Sequence, residues 1–185
     1  MTLPLGPPSD RSAVIVRAPL PAGLERVRRG SVKNAADGVP AHVTMLHPFI
    51  APERLELDVR RVLASVAAAH DAFEYSQAGP ARWPGTIYVR VEPDAPFVRL
   101  QAALARAFPA FPIYGEDTDF EFVPHVTIAE GVAAEDPWTL ADPAWAAVPR
   151  RHRASAVEVI ARGASAGWRT VWRIGLGGRP RSGPR

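Results

Sequence analysis

Two short stretches carry residue types suited to acid–base chemistry: His42-Val43-Thr44-Met45 and His125-Val126-Thr127-Ile128. Each is a His-x-Thr with apolar residues between and after, and each has a proline just upstream, Pro40 and Pro124. Successive side chains of a strand point to opposite faces. His42 and Thr44 therefore share one strand face while Val43 and Met45 anchor the other, and the same holds for His125 and Thr127 against Val126 and Ile128. Histidine titrates near neutrality, so a pair supplies one base and one acid at the same pH. Threonine hydroxyls donate hydrogen bonds to the non-bridging oxygens of a phosphodiester. Two such strands across one cleft would offer two imidazoles and two hydroxyls to a single phosphate. One copy of so short a motif says little; two copies in matching context carry weight.

The elements around the motifs repeat as well. Ala13–Ala18 is an apolar, β-branched run that reads as a strand, and Pro21–Ala36, carrying Arg26, Arg28 and Arg29, reads as a helix. Its basic face is placed to line a phosphate site but reads first as solvated. Ala41–Leu46 is the first motif strand. Leu55, Val59, Val62, Leu63, Val66 and Ala67 fall at helical spacing, predicting a helix over Pro52–Ala69 with His70 at its C-terminal end. A strand at Phe73–Ala78, a turn at Gly79-Pro80, a second turn at Trp83-Pro84-Gly85 and a strand at Thr86–Val91 follow. The second half then restates the plan, with a helix from about Ala95 to Phe108 and the second motif strand at Pro124–Ala129. The two histidines lie 83 positions apart. A strand–helix–strand unit repeated at that interval implies a pseudo-twofold molecule with one histidine from each half. Beyond it, Ala154–Ala161 and Trp168–Gly175 read as a hairpin. Trp168 and Trp172, four apart, offer an aromatic wall for a substrate cleft but read more simply as sharing one packed face.

The motif surroundings, Pro40-Ala41-His42-Val43-Thr44-Met45-Leu46-His47-Pro48-Phe49 and Phe122-Val123-Pro124-His125-Val126-Thr127-Ile128-Ala129, resemble those of the 2H phosphoesterase superfamily, which includes 2'-5' RNA ligase-like proteins and cyclic phosphodiesterases. The resemblance runs from about Ala13 to Leu176. His47 stands where relatives often carry tyrosine, and Glu130 where RNA-ligase relatives tend to be basic. With the internal repeat, the resemblance implies an α+β, bilobal fold: antiparallel-rich sheets form a central cleft with helices packed outside. The expected organisation is a flexible leader at 1–11, one domain at 12–176 with pseudo-repeats at about 12–85 and 86–176, and a flexible basic tail at 177–185. The implied activity is metal-independent hydrolysis of a 2',3'-cyclic phosphate, on an RNA end or a small nucleotide, with reversible 2'-5' ligation by the same site. His42 and His125 are the expected acid–base pair, and Thr44 and Thr127 the expected phosphate ligands. Which histidine is acid and which is base is not legible. His47, Phe49 and Tyr114 are candidate substrate contacts by their nearness to the motifs, with Phe120 a further candidate for base stacking. No cofactor and no metal are implied.

Composition bounds the alternatives. The 185 residues fit one domain, and 47% hydrophobic with 22% charged residues is a globular balance. The N-terminus has no signal-peptide pattern, no apolar run is long enough to span a bilayer, and cysteine is absent, which excludes disulfides and thiol chemistry. A cytoplasmic monomer without membrane association is the expectation, with RNA bearing a cyclic phosphate or 2'-5' linkage, or a small cyclic nucleotide, as partner. The net charge is only +3 despite a pI near 9.9, because arginine supplies nearly all the basic residues; Lys33 is the only lysine. Two other classes compete: a phosphate-binding module without catalysis, and a metal hydrolase using Asp117, Asp119, Glu121 and Glu130, which lacks any H-x-H or H-E-x-x-H ligand set.

Overall fold

The computed structural model describes residues 5–111, 113, 121–133, 143–148, 150–163 and 167–177. Strand β1 (Pro8–Ser9) is followed by β2 (Ser12–Arg17), helix α1 (Ala22–Ser31), the first motif strand β3 (His42–Leu46) and the short β4 (Phe49–Ile50). Helix α2 (Leu57–Ala68), the hairpin β5 (Phe73–Trp83) and β6 (Gly85–Glu92), helix α3 (Ala95–Ala107) and the second motif strand β7 (His125–Val132) come next. The last elements among the described residues are β8 (Arg150–Ala154), β9 (Ala156–Arg162) and β10 (Trp168–Gly175).

Two four-stranded antiparallel sheets result, ordered β10-β9-β2-β3 and β7-β6-β5-β8, so each motif strand occupies a sheet edge. The two edges lie against each other without pairing. The pseudo-twofold relation extends to individual residues. Arg17 pairs with His42 and Val16 with Val43; Arg90 pairs with His125 and Val89 with Val126. Ile15 stands opposite Thr44 as Tyr88 stands opposite Thr127. The sheets do not follow the halves 12–85 and 86–176. β5 belongs to the second sheet, and β9 and β10 return to complete the first.

The motif strands alternate as their composition requires: Val43, Met45, Val126 and Ile128 are buried in the main core, while His42, Thr44, His125 and Thr127 face the cleft and are half-buried. Helices α2 and α3 pack together on the core side, burying Val59, Leu63 and Ala67 from one and Phe97, Leu100 and Leu104 from the other. Each half reaches across the seam: α1 contacts β7, and α3 contacts β3.

Several expectations need correction. The helix expected over Pro21–Ala36 stops at Ser31, and Asn34 takes a positive φ of 66°, a conformation asparagine tolerates. The helix expected from Pro52 is broken: Pro52–Arg54 form a 3-10 turn, Leu55 and Glu56 leave helical geometry, and the α-helix starts at Leu57. Gly79 does not end a strand. It sits at a bulge with φ 151°, and β5 runs on to Trp83. The charged edge strand β8 was not expected, because Arg150-Arg151-His152-Arg153 lacks the apolar alternation of a half-buried strand. Residues 5–9, expected as part of a flexible leader, lie against the fold: Leu5 packs on the core, and Pro8 and Ser9 pair with Ile50 and Phe49. A short 3-10 segment, Pro143–Ala147, occupies the loop after the second motif. No helix among the described residues is long and apolar enough to cross a membrane.

Candidate active site

Each motif histidine is fixed by the main chain two residues upstream. The Nδ1–H of His42 donates to the Pro40 carbonyl at 2.6 Å, and that of His125 donates to the Val123 carbonyl at 2.8 Å. Such a bond sets the tautomer of a neutral imidazole and leaves the lone pair on Nε2. Both Nε2 atoms are thereby prepared to accept a proton. The Thr44 hydroxyl donates to His42 Nε2 at 3.1 Å, as strand geometry allows for residues i and i+2 on one face.

The surroundings of the two rings differ. Burial is the main force holding His42 down, to about 4. The Pro40 carbonyl works against this, and the positive charges of Arg28, His125 and His47 add to it. That His42 responds to the charge of His125 reflects the closeness of the two motif strands. Burial also lowers His125, opposed by its bond to Val123. The His125 ring lies in an aromatic corner, edge-on to Trp83 at 4.6 Å and to Tyr88 at 5.3 Å, with Trp83 stacked on Tyr88 at 4.0 Å.

A cavity of about 290 Å³ opens at the first motif, at the lower end of the size range of ligand pockets. His42, Thr44, His47 and Thr127 line it, and His125 is two residues from Thr127 on the same strand face. Thus the fold brings Thr44 and Thr127, from separate halves, to one space. His47 also reaches it, with Nδ1 3.3 Å from the Ser12 carbonyl. Phe49 does not. It is fully buried in β4, paired with Ser9 and edge-on to Phe108 at 5.2 Å and Phe111 at 5.4 Å. Tyr114, Phe120, Asp117 and Asp119 lie outside the described residues. Among the described residues no cluster of three metal-ligating side chains occurs. Glu130 instead accepts a hydrogen bond from the Lys33 backbone N–H at 3.1 Å, joining α1's exit to β7.

Three contributors were not assigned to the site from the sequence. Arg28, expected on a solvated helix face, is 2% exposed and lines the cavity. Its guanidinium donates to the Val39 and Pro40 carbonyls at 3.0 Å, so it shares the Pro40 oxygen with His42. Only the one-turn spacing to buried Leu24 hinted at an inward position. Trp168 also lines the cavity, and Trp83 borders His125. Trp168 and Trp172 do not share a face. A bulge between Thr170 and Trp172 turns Trp168 toward Ala13, Ile15, Val39 and Ile160, while Trp172 packs on the main core.

Residues 16–166 match the model of the 2'-5' RNA ligase superfamily. Similar solved structures include TT0787 of Thermus thermophilus, with TM-score 0.58, 18% identity, and coverage of 92% of this chain and 100% of that one. Escherichia coli LigT complexed with 3'-AMP is similar with TM-score 0.56 and 13% identity, over 90% of this chain and 98% of LigT. A structure described as a phosphoesterase gives TM-score 0.55 at 15% identity, over 91% and 99%. At these identities the structural likeness concerns the fold. No curated protein sequence matches the chain. The family match over most of its length, joined to the LigT-like architecture, makes the chain a member of the 2'-5' RNA ligase superfamily, within the 2H phosphoesterases.

Proposed function

We propose that the protein is a metal-independent phosphodiesterase that opens 2',3'-cyclic phosphates, on an RNA end or a small nucleotide, with 2'-5' joining as the reverse reaction of the same site. The observation that carries this reading is the repeated anchoring of His42 and His125 through Nδ1, which puts the basic lone pair of each ring on Nε2. One Nε2 takes a proton from water as the water oxygen attacks phosphorus. The other, protonated, gives its proton to the 2' or 3' oxygen as the P–O bond breaks. Thr44 and Thr127 donate to the non-bridging oxygens and stabilise charge as it develops. For Thr44 this requires its hydroxyl to turn from His42 Nε2 to the phosphate, which releases the imidazole for chemistry. LigT structures hold 3'-AMP, NADP+ and ATP, and a nucleotide ligand for this chain is consistent with that.

The test is turnover of 2',3'-cyclic nucleotides in EDTA, followed by release of the mononucleotide. Sustained turnover is expected. Nucleotide binding without turnover of any cyclic or 2'-5'-linked substrate would favour a phosphate-binding module, and loss of activity in EDTA would favour a metal hydrolase.

A further inference from the structure

The cavity lining is chemically mixed. His42, Thr44 and Thr127 belong to it, together with the charged Arg28, Lys33 and Glu130. So does an apolar wall of Trp168 with Ala13, Val39 and Ile160, a small cluster separate from the main core. Trp168 is held in that wall by the main chain. Its backbone N–H donates to the Asp37 carbonyl at 2.7 Å. The chain places glycine on both sides of the contact: a Cβ at Gly38, where φ is 103°, would stand 2.8 Å from the Trp168 carbonyl oxygen, and one at Gly167 would collide with the Asp37 carbonyl oxygen. Beside a bulge in the strand pairing, the indole packs on the small cluster rather than the main core, and it lines the cavity. Half-buried in a cavity wall, Trp168 leaves part of its surface open to a ligand.

A flat aromatic surface backed by aliphatic side chains, in one cavity with the Thr44 and Thr127 hydroxyls, suits a ligand with a planar apolar part beside an anion. We propose that the Trp168 wall is a nucleobase subsite, taking the base of the nucleotide whose phosphate lies between the two motifs. This rests on the phosphodiester reading above. Every base offers a π-face, so stacking gives affinity with little sequence preference. The subsite therefore separates nucleotides from base-free sugar phosphates more than it separates one base from another.

The experiment is calorimetric titration of adenosine 3'-monophosphate and of methyl riboside 3-phosphate, the same sugar phosphate without a base. Wild type is compared with Trp168→Leu, which fills space without a π-face, and Trp168→Phe, which keeps one. Wild type should prefer the nucleotide by about 5-fold or more, the lower end of base–aromatic stacking. Trp168→Leu should shrink the preference to within about 2-fold, with Trp168→Phe between. If Trp168→Leu does not fold, the reduced preference of Trp168→Phe decides. No preference in wild type, an unchanged preference in the variants, or equal weakening of both ligands would overturn the proposal. If the preference behaves as expected while cyclic nucleotides are not turned over, the catalytic reading fails and the subsite stands.

Discussion

His42 and Arg28 share one acceptor: the imidazole Nδ1–H reaches the Pro40 carbonyl at 2.6 Å and the guanidinium reaches it at 3.0 Å. A buried cation thus fixes the segment that orients a motif histidine, and its charge disfavours protonation of that histidine. The corresponding Val123 carbonyl of the second half belongs to an exposed residue. The pseudo-symmetric scaffold holds its two histidines in unlike settings, one beside a cation and one in an aromatic corner.

Arg28→Met should therefore act on both stability and titration. It deprives the buried Val39 carbonyl of its guanidinium donor and removes one of two donors from Pro40, a loss of about 1–3 kcal/mol by urea denaturation. Without the cation, the His42 resonance should titrate at higher pH by NMR. Arg28→Lys keeps the charge but not the planar fork, so it should restore the titration more fully than the stability.

Stability should fall as pH drops from about 6.5 toward 4. His42 is lowered to about 4 in the folded state, so across that window the unfolded chain binds more protons. The stability is complete above the unfolded value and is lost as pH falls toward the folded one. The one-unit rule gives on the order of 3 kcal/mol as an upper bound, reduced by solvent reaching the half-buried ring. His125 and His152 are lowered too and act in the same direction. Denaturation across this window should show a shallower slope for His42→Gln than for wild type.

Phe49→Ala should cost about 3–5 kcal/mol of stability, as for an aromatic removed from a packed core. Its ring supports Phe108 and Phe111 rather than substrate. Chemical denaturation together with KM measured well below the melting temperature separates these roles: a stable variant with a selectively raised KM would restore Phe49 to the site.

Gly167→Ala should destabilise by about 1–3 kcal/mol, since the methyl group meets the Asp37 carbonyl and the contact between two loops must open. The near-UV circular dichroism of Trp168 should change with it. An unperturbed spectrum and melting temperature would mean that the backbone clamp is not needed.

The motif strands were legible because period-two alternation is local: Val43 and Met45 declare the buried face, and His42 and Thr44 must then share the other. Helix α3 was legible because its 3.6-residue period is local too, through Phe97, Leu100 and Leu104. What escaped depended on distant partners. Arg28 is buried only because carbonyls of the following loop receive its guanidinium, and an arginine beside Arg29 otherwise reads as solvated. The return of β9 and β10 to the first sheet is a long-range pairing with no local signature. The bulge that parts Trp168 from Trp172 shifts the face assignment by one residue, which spacing alone does not reveal.

The most direct measurement is hydrolysis of 2',3'-cyclic nucleotides in EDTA by wild type, His42→Ala and His125→Ala, with folding of each variant verified by circular dichroism. The two-histidine account predicts turnover by wild type and a fall of about 10²-fold or more in kcat for each single variant. Near-wild-type turnover by either folded variant, or no turnover by wild type, would contradict it.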